Sequence, residues 1–89
     1  MPKINKSHST PYFEKKFKKL SPNIQRMTAR KILLFENNPY HSSLNMHKLK
    51  GRLSGFWSFY INSDFRVLIR FLKNNEVVYY DIDTHRIYK

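Results

Sequence analysis

Seventeen Lys and Arg against six Asp and Glu put a formal net charge of +11 on a chain of 89 residues that is 40% hydrophobic and 16% aromatic. One domain, residues 1–89, is expected at that length, close to the size at which folded domains become marginal, and so aromatic a chain is not a disordered segment. The lack of Cys excludes a disulfide framework and a thiolate metal site, and no stretch approaches the ~18 apolar residues of a membrane span or a signal-peptide core.

Residues 1–9 are polar apart from Ile4 and read either as a frayed leader or as a short edge strand. Thr10-Pro11 then opens a helix, because Pro is tolerated where the first-turn N–H has no partner anyway. Phe13, Phe17 and Leu20 recur at i, i+4 and i+7, with Lys15, Lys16, Lys18 and Lys19 elsewhere on the wheel. Ser21-Pro22 repeats the opening signal, and a second helix is expected from Pro22 to about Glu36. It should bury Ile24, Met27, Ile32 and Phe35, with Leu33 or Leu34 at the margin. Asn37-Asn38-Pro39 ends it, since the residue before a proline is pushed out of the helical region.

Tyr40 to Gly55 reads as a loop carrying His41, His47, Lys48, Lys50 and Arg52. Three apolar runs follow, Phe56–Ile61, Phe65–Leu72 and Val77–Ile82, each alternating by twos and too short for a helix, which predicts an antiparallel meander. In the middle run Phe65, Val67, Ile69 and Phe71 share one face, and Arg66 and Arg70 lie on the other. The whole is an α+β domain: a helical hairpin on a small antiparallel sheet, followed by the polar tail Asp83–Lys89.

The four histidines lack the spacing of a zinc site, no Gly-x-Ser-x-Gly elbow is present, and two glycines cannot make a phosphate-cradling loop, so no metal and no cofactor are expected. The charge points to nucleic acid, an acidic protein or a membrane surface as partner. A basic, aromatic surface with imidazoles is suited to RNA. Cleaving RNA without metal takes a base for the 2′-hydroxyl proton, cations for the charge gathering on phosphorus, and an acid for the leaving 5′-oxygen. Imidazole, with a pKa of ~6.5, serves either proton role, and guanidinium holds phosphate in a bidentate fork. His47, His85, Arg66 and Arg86 are of those types, although by chemistry alone any single one of them reads first as a solvated surface residue; Tyr88 can stack on a base or donate a proton, or simply pack on the core.

Four segments in this order, His47-Lys48-Leu49-Lys50-Gly51, Gly55-Phe56-Trp57, Asp64-Phe65-Arg66-Val67 and Asp83-Thr84-His85-Arg86-Ile87-Tyr88, resemble the RelE/ParE superfamily of toxins from toxin–antitoxin pairs. The RelE-like messenger-RNA interferases of the YafQ and HigB types are the most similar. The helix opening Tyr12–Leu20 extends the likeness to almost the whole chain. The resemblance implies a RelE-like fold and a ribosome-dependent endoribonuclease that cleaves translated mRNA. It also implies an acidic antitoxin partner, a toxin–antitoxin hetero-oligomer, a cytoplasmic location and no membrane contact. By position it implies catalytic roles for His85, Arg66, His47, Arg86, Tyr88 and Asp64, and RNA binding by Lys48 and Lys50. Arg52 is read as a further RNA-binding cation of the loop, and Arg70, on the same face as Arg66, either binds RNA or is simply exposed. Asp64 reads equally as a turn cap. Where many YafQ-like proteins have a second histidine in mid-sheet, this chain has Tyr60. A ParE-like gyrase inhibitor shares the fold but needs no catalytic imidazoles; a non-catalytic RNA-binding module is the other alternative, favoured by a disordered tail.

Overall fold

The structure, a computed structural model describing residues 3–88, is a helical hairpin packed on a five-stranded sheet. In chain order the elements are β1 (Lys6–Ser9), α1 (Pro11–Lys18), α2 (Pro22–Asn37), β2 (His47–Lys48), β3 (Trp57–Tyr60), β4 (Arg66–Leu72) and β5 (Glu76–Asp83), with a closing 3-10 turn at His85–Tyr88. Both helices start as their sequence signals require. Thr10 Oγ1 accepts from the Phe13 amide at 3.0 Å and Ser21 Oγ from the Ile24 amide at 3.3 Å, each followed by Pro in the first turn.

The expected meander is β3–β4–β5, and the sheet is wider than that, in the order β1-β5-β4-β3-β2. Two additions account for the difference. Of the N-terminal alternatives the edge strand is the one observed: β1 pairs with β5, and in parallel rather than antiparallel register. Its Lys6 and His8 keep that edge charged and polar, which discourages pairing with another chain. The segment Tyr40–Gly55 is not all loop, because His47 and Lys48 pair with Ser58 and Trp57 to form the opposite edge. Two residues at an edge carry too little alternation to stand out in a sequence. Residues 1, 2 and 89 lie outside the described residues.

The helices cover one face of the sheet. Phe35 of α2, wholly buried, stacks on Phe59 at 4.7 Å, and Phe13 of α1 stacks on Tyr79 at 5.6 Å; Val67, Ile69, Val77 and Ile82 complete the layer. Truncating such a ring to Ala ordinarily costs about 3–5 kcal/mol. Leu34 packs at the margin of this core, and Leu33 points outward with 65% of its surface exposed. Thr28, which sequence periodicity does not mark, is fully buried, and its hydroxyl is satisfied by donating to the Ile24 carbonyl at 2.8 Å. The phenol of Tyr79 donates to the Glu36 carboxylate; burial first, and then that hydrogen bond, keep it protonated far beyond the usual tyrosine range. Among the described residues no helix is long and apolar enough to cross a membrane.

Candidate active site

The sheet face away from the helices carries the candidate residues. Alternation along β4 sends Arg66, Leu68 and Arg70 to that side, and their β3 partners Tyr60 and Ser58 follow. The Arg66 guanidinium lies 4.1 Å from the centre of the Tyr60 ring, and its Nη1 donates to the Ser63 carbonyl at 3.1 Å. Its Nε is buried and has no acceptor among the described residues, which leaves one donor unspent. The His47 ring stacks on Tyr60 at 5.8 Å. Because β3 lies between β2 and β4, Tyr60 has His47 as its neighbour on one side and Arg66 on the other.

Beside Arg66 is a cleft of about 400 Å³ lined by Ser63, Asp64, Phe65, Arg66, Thr84, His85 and Arg86. Two guanidinium groups, an imidazole and a carboxylate therefore share one concavity, brought from the β3–β4 turn, β4 and the tail. The turn is held by Asn62, whose side chain accepts from the Asp64 and Phe65 amides at 2.9 and 2.7 Å. The Asp64 side chain caps none of these bonds.

The tail folds back over the same face. Asp83 pairs with Arg66 in the ladder, its Oδ1 accepts from the Thr84 amide at 2.7 Å, and the Ile87 amide donates to the Thr84 carbonyl at 3.0 Å, so the chain turns sharply after the last strand. Ile87 is buried, and the Tyr88 hydroxyl meets Ser58 Oγ at 2.9 Å, with Ser58 itself fully buried.

The turn is anchored from α1. Lys16 Nζ reaches Asp83 Oδ2 at 2.8 Å and Asp81 Oδ1 at 3.0 Å. Burial works against the charges on both sides of this contact. For Lys16 the hydrogen bonds to Asp83 and Asp81 outweigh it and hold the ammonium above the ordinary lysine range. For Asp83 the bond from Lys16, the Thr84 amide and the Arg86 charge outweigh it and hold the carboxyl below the ordinary range. A depressed carboxyl stabilises the fold above its unfolded pKa of ~3.9 and loses that contribution as pH falls through the folded value; a raised lysine loses its own only in strong alkali. Lys16→Met is therefore expected to cost about 2 kcal/mol at neutral pH by urea denaturation, with the gap to the parent protein closing below about pH 4. An equal loss at pH 3 and pH 7 would assign the effect to packing of the lysine stem.

The remaining candidates are spread more widely. Lys48 is exposed and, one residue along β2, points to the opposite side from His47. Lys50 and Arg52 are exposed at a 3-10 turn whose Gly51 adopts φ +67°, a conformation costly for other residues. Arg70 is exposed at the far end of β4, over the Phe56 ring. His8 is paired to Glu76 at 2.8 Å and His41 caps a turn through Ser43, so both have structural work. Among the described residues no three His, Asp or Glu side chains gather as a metal shell would require. Sequence reasoning gave no part to Ser58, a small residue in an aromatic strand, and treated Tyr60 only as a departure from a family pattern.

No family model matches the chain, and no curated protein matches it in sequence. Solved structures do match in shape. The chain superposes on one from the toxin–antitoxin complex RelBE2 of Mycobacterium tuberculosis with a TM-score of 0.78 at 20% identity, covering 94% of this chain and 93% of that one. The YoeB/ParE toxin from Agrobacterium tumefaciens gives 0.76 at 17% identity, over 90% of this chain and 98% of that one. The DinJ–YafQ toxin–antitoxin complex of E. coli gives 0.73 at 15% identity, over 91% and 92%. The fold is thus RelE-like, two helices on a five-stranded mixed sheet.

Proposed function

We propose that this chain is the toxin of a type II toxin–antitoxin pair and acts as a metal-independent endoribonuclease on mRNA held in the ribosome. The observation that carries the reading is the cleft in which Arg66, His85, Arg86 and Asp64 meet on an unpaired basic face. Among the described residues the close ion pairs join His8 to Glu76 and Lys16 to Asp81 and Asp83, so neither cleft arginine is locked in a salt bridge, although the Arg86 charge helps to keep Asp83 ionised. The RelE-like fold, shared with chains of the solved toxin–antitoxin complexes, supports it.

In this reading the scissile phosphate sits between Arg66 and Arg86, whose fixed charges stabilise the two negative charges of the phosphorane. A base removes the proton of the 2′-hydroxyl, the 2′-oxygen bonds to phosphorus, and the bond from phosphorus to the 5′-oxygen breaks as an acid returns a proton to that oxygen. His85 supplies one of these transfers. His47, stacked across Tyr60 from Arg66, supplies the second or orients the ring between them. Asp64 orients a cleft cation. The Ser58 bond turns the Tyr88 hydroxyl in toward the sheet, and in this reading its partly exposed ring stacks on a base of the substrate. Lys48, Lys50 and Arg52 draw the RNA in along the β2 edge.

The test is to map the ends produced from a translated message by the purified protein. Fragments with a 5′-hydroxyl and a 2′,3′-cyclic or 3′-phosphate are expected, and an acidic antitoxin covering the basic face should suppress them less well as salt rises. Fragments with a 5′-phosphate would reject this chemistry.

A further inference from the structure

The open face continues past the cleft. Its middle row is Ser58 and Leu68, where the Tyr88 hydroxyl docks and Leu68 is left only 7% exposed. Beyond it the Arg70 guanidinium lies 5.7 Å from the centre of the Phe56 ring, and Phe56 packs edge-to-face on Tyr80 at 5.0 Å and 85°. Tyr80 sits there through an irregularity in the β4–β5 ladder: Leu68 pairs with Asp81 and Ile69 with Tyr79, so Tyr80 is the extra residue of a bulge. Gly55, at φ +94°, lets the loop turn tightly beside the guanidinium.

The fold does not account for this group. Arg70 is exposed and takes part in none of the ion pairs among the described residues, while Phe56 and Tyr80 are only partly covered. A cation over one aromatic ring, with a second ring packed on the first, is a combination that can hold a single-stranded nucleotide, the rings taking the base and the guanidinium the phosphate. Arg66 and Arg70 are four residues apart on one strand face, about 13 Å at ~3.3 Å per residue, and their guanidinium groups lie over different rings, Tyr60 and Phe56, so each is set toward a different phosphate.

We propose that Arg70, Phe56 and Tyr80 form a second RNA subsite that binds the base and phosphate of a nucleotide removed from the scissile bond, so that β4 sets the path of the strand across the sheet. The inference rests on the RNA-cleaving reading above and extends it to where the substrate lies.

Binding of an uncleavable 2′-O-methyl hexanucleotide to the full chain, followed by fluorescence anisotropy across salt, tests it without relying on activity. Arg70→Gln is expected to weaken binding several-fold and lower the salt slope by about one, while Tyr80→Leu weakens it about fivefold or more with the slope unchanged. A dinucleotide, too short to reach from the cleft, should respond to Arg66→Ala and to neither of these. Circular dichroism melting checks that Tyr80→Leu stays folded, and Arg70→Gln, at an exposed position, gives a second reading. Hexanucleotide affinity unchanged by both substitutions but lowered by Arg66→Ala would overturn the subsite and leave the RNA reading standing. No binding by the parent protein at low salt would overturn both.

Discussion

His85→Ala is expected to lower single-turnover cleavage on programmed ribosomes by on the order of a hundredfold or more, and Arg66→Ala to do so comparably, with both proteins folded and still able to bind an antitoxin. The imidazole is an exposed member of the cleft, so its loss removes no packing element; in the proposed mechanism it removes a proton-transfer group, and such losses typically cost about 10²–10⁴ in rate. Arg66 differs in kind. Its guanidinium is fixed by the Tyr60 ring and the Ser63 carbonyl before substrate arrives, and a preorganised charge acts on the transition state more than on binding. Arg66→Lys should therefore recover binding and little of the rate, because an ammonium cannot reproduce the fork. If His85→Ala cuts at the parent rate while circular dichroism is unchanged, the proton transfers belong to Tyr88, Arg86 or the lysines.

Much of this arrangement is written in the sequence, for local reasons. Ser or Thr followed by Pro announced both helices, and two-residue alternation from Phe56 to Ile82 announced three strands, because both signals depend on neighbours in the chain. What escaped depends on partners far away. The parallel β1 is defined by β5, some seventy residues on, and β2 by two ladder pairs with β3. The Lys16 contact to Asp81 and Asp83 is one lysine among many on a basic wheel until α1 is laid against β5. The same holds at the site. Residue types alone nominate His47, Arg66, His85 and Arg86, but that Tyr60 lies between His47 and Arg66 follows only from strand order, and the Ser58–Tyr88 bond only from the path of the tail.

Translated mRNA should be cut at least about a hundredfold faster than the same RNA free in solution. The cleft is prepared unevenly. Its backbone and Arg66 are held by the Asn62, Ser63 and Asp83 hydrogen bonds, whereas His85 and Arg86 are exposed on a 3-10 turn and keep side-chain freedom. In-line attack needs the 2′-oxygen, the phosphorus and the 5′-oxygen aligned, and a flexible RNA crossing an open sheet face seldom adopts that geometry. Orienting reactants beforehand is worth several powers of ten, and a misplacement near 1 Å forfeits about 10²-fold. On the proposed reading, a ribosome that fixes the codon would supply the orientation this small domain does not build, while the basic face would supply the attraction. The comparison is single-turnover cleavage of one message, free and on stalled ribosomes, at matched salt. Equal rates in the two arms would show that the cleft aligns the RNA unaided, and the dependence on the ribosome would fall.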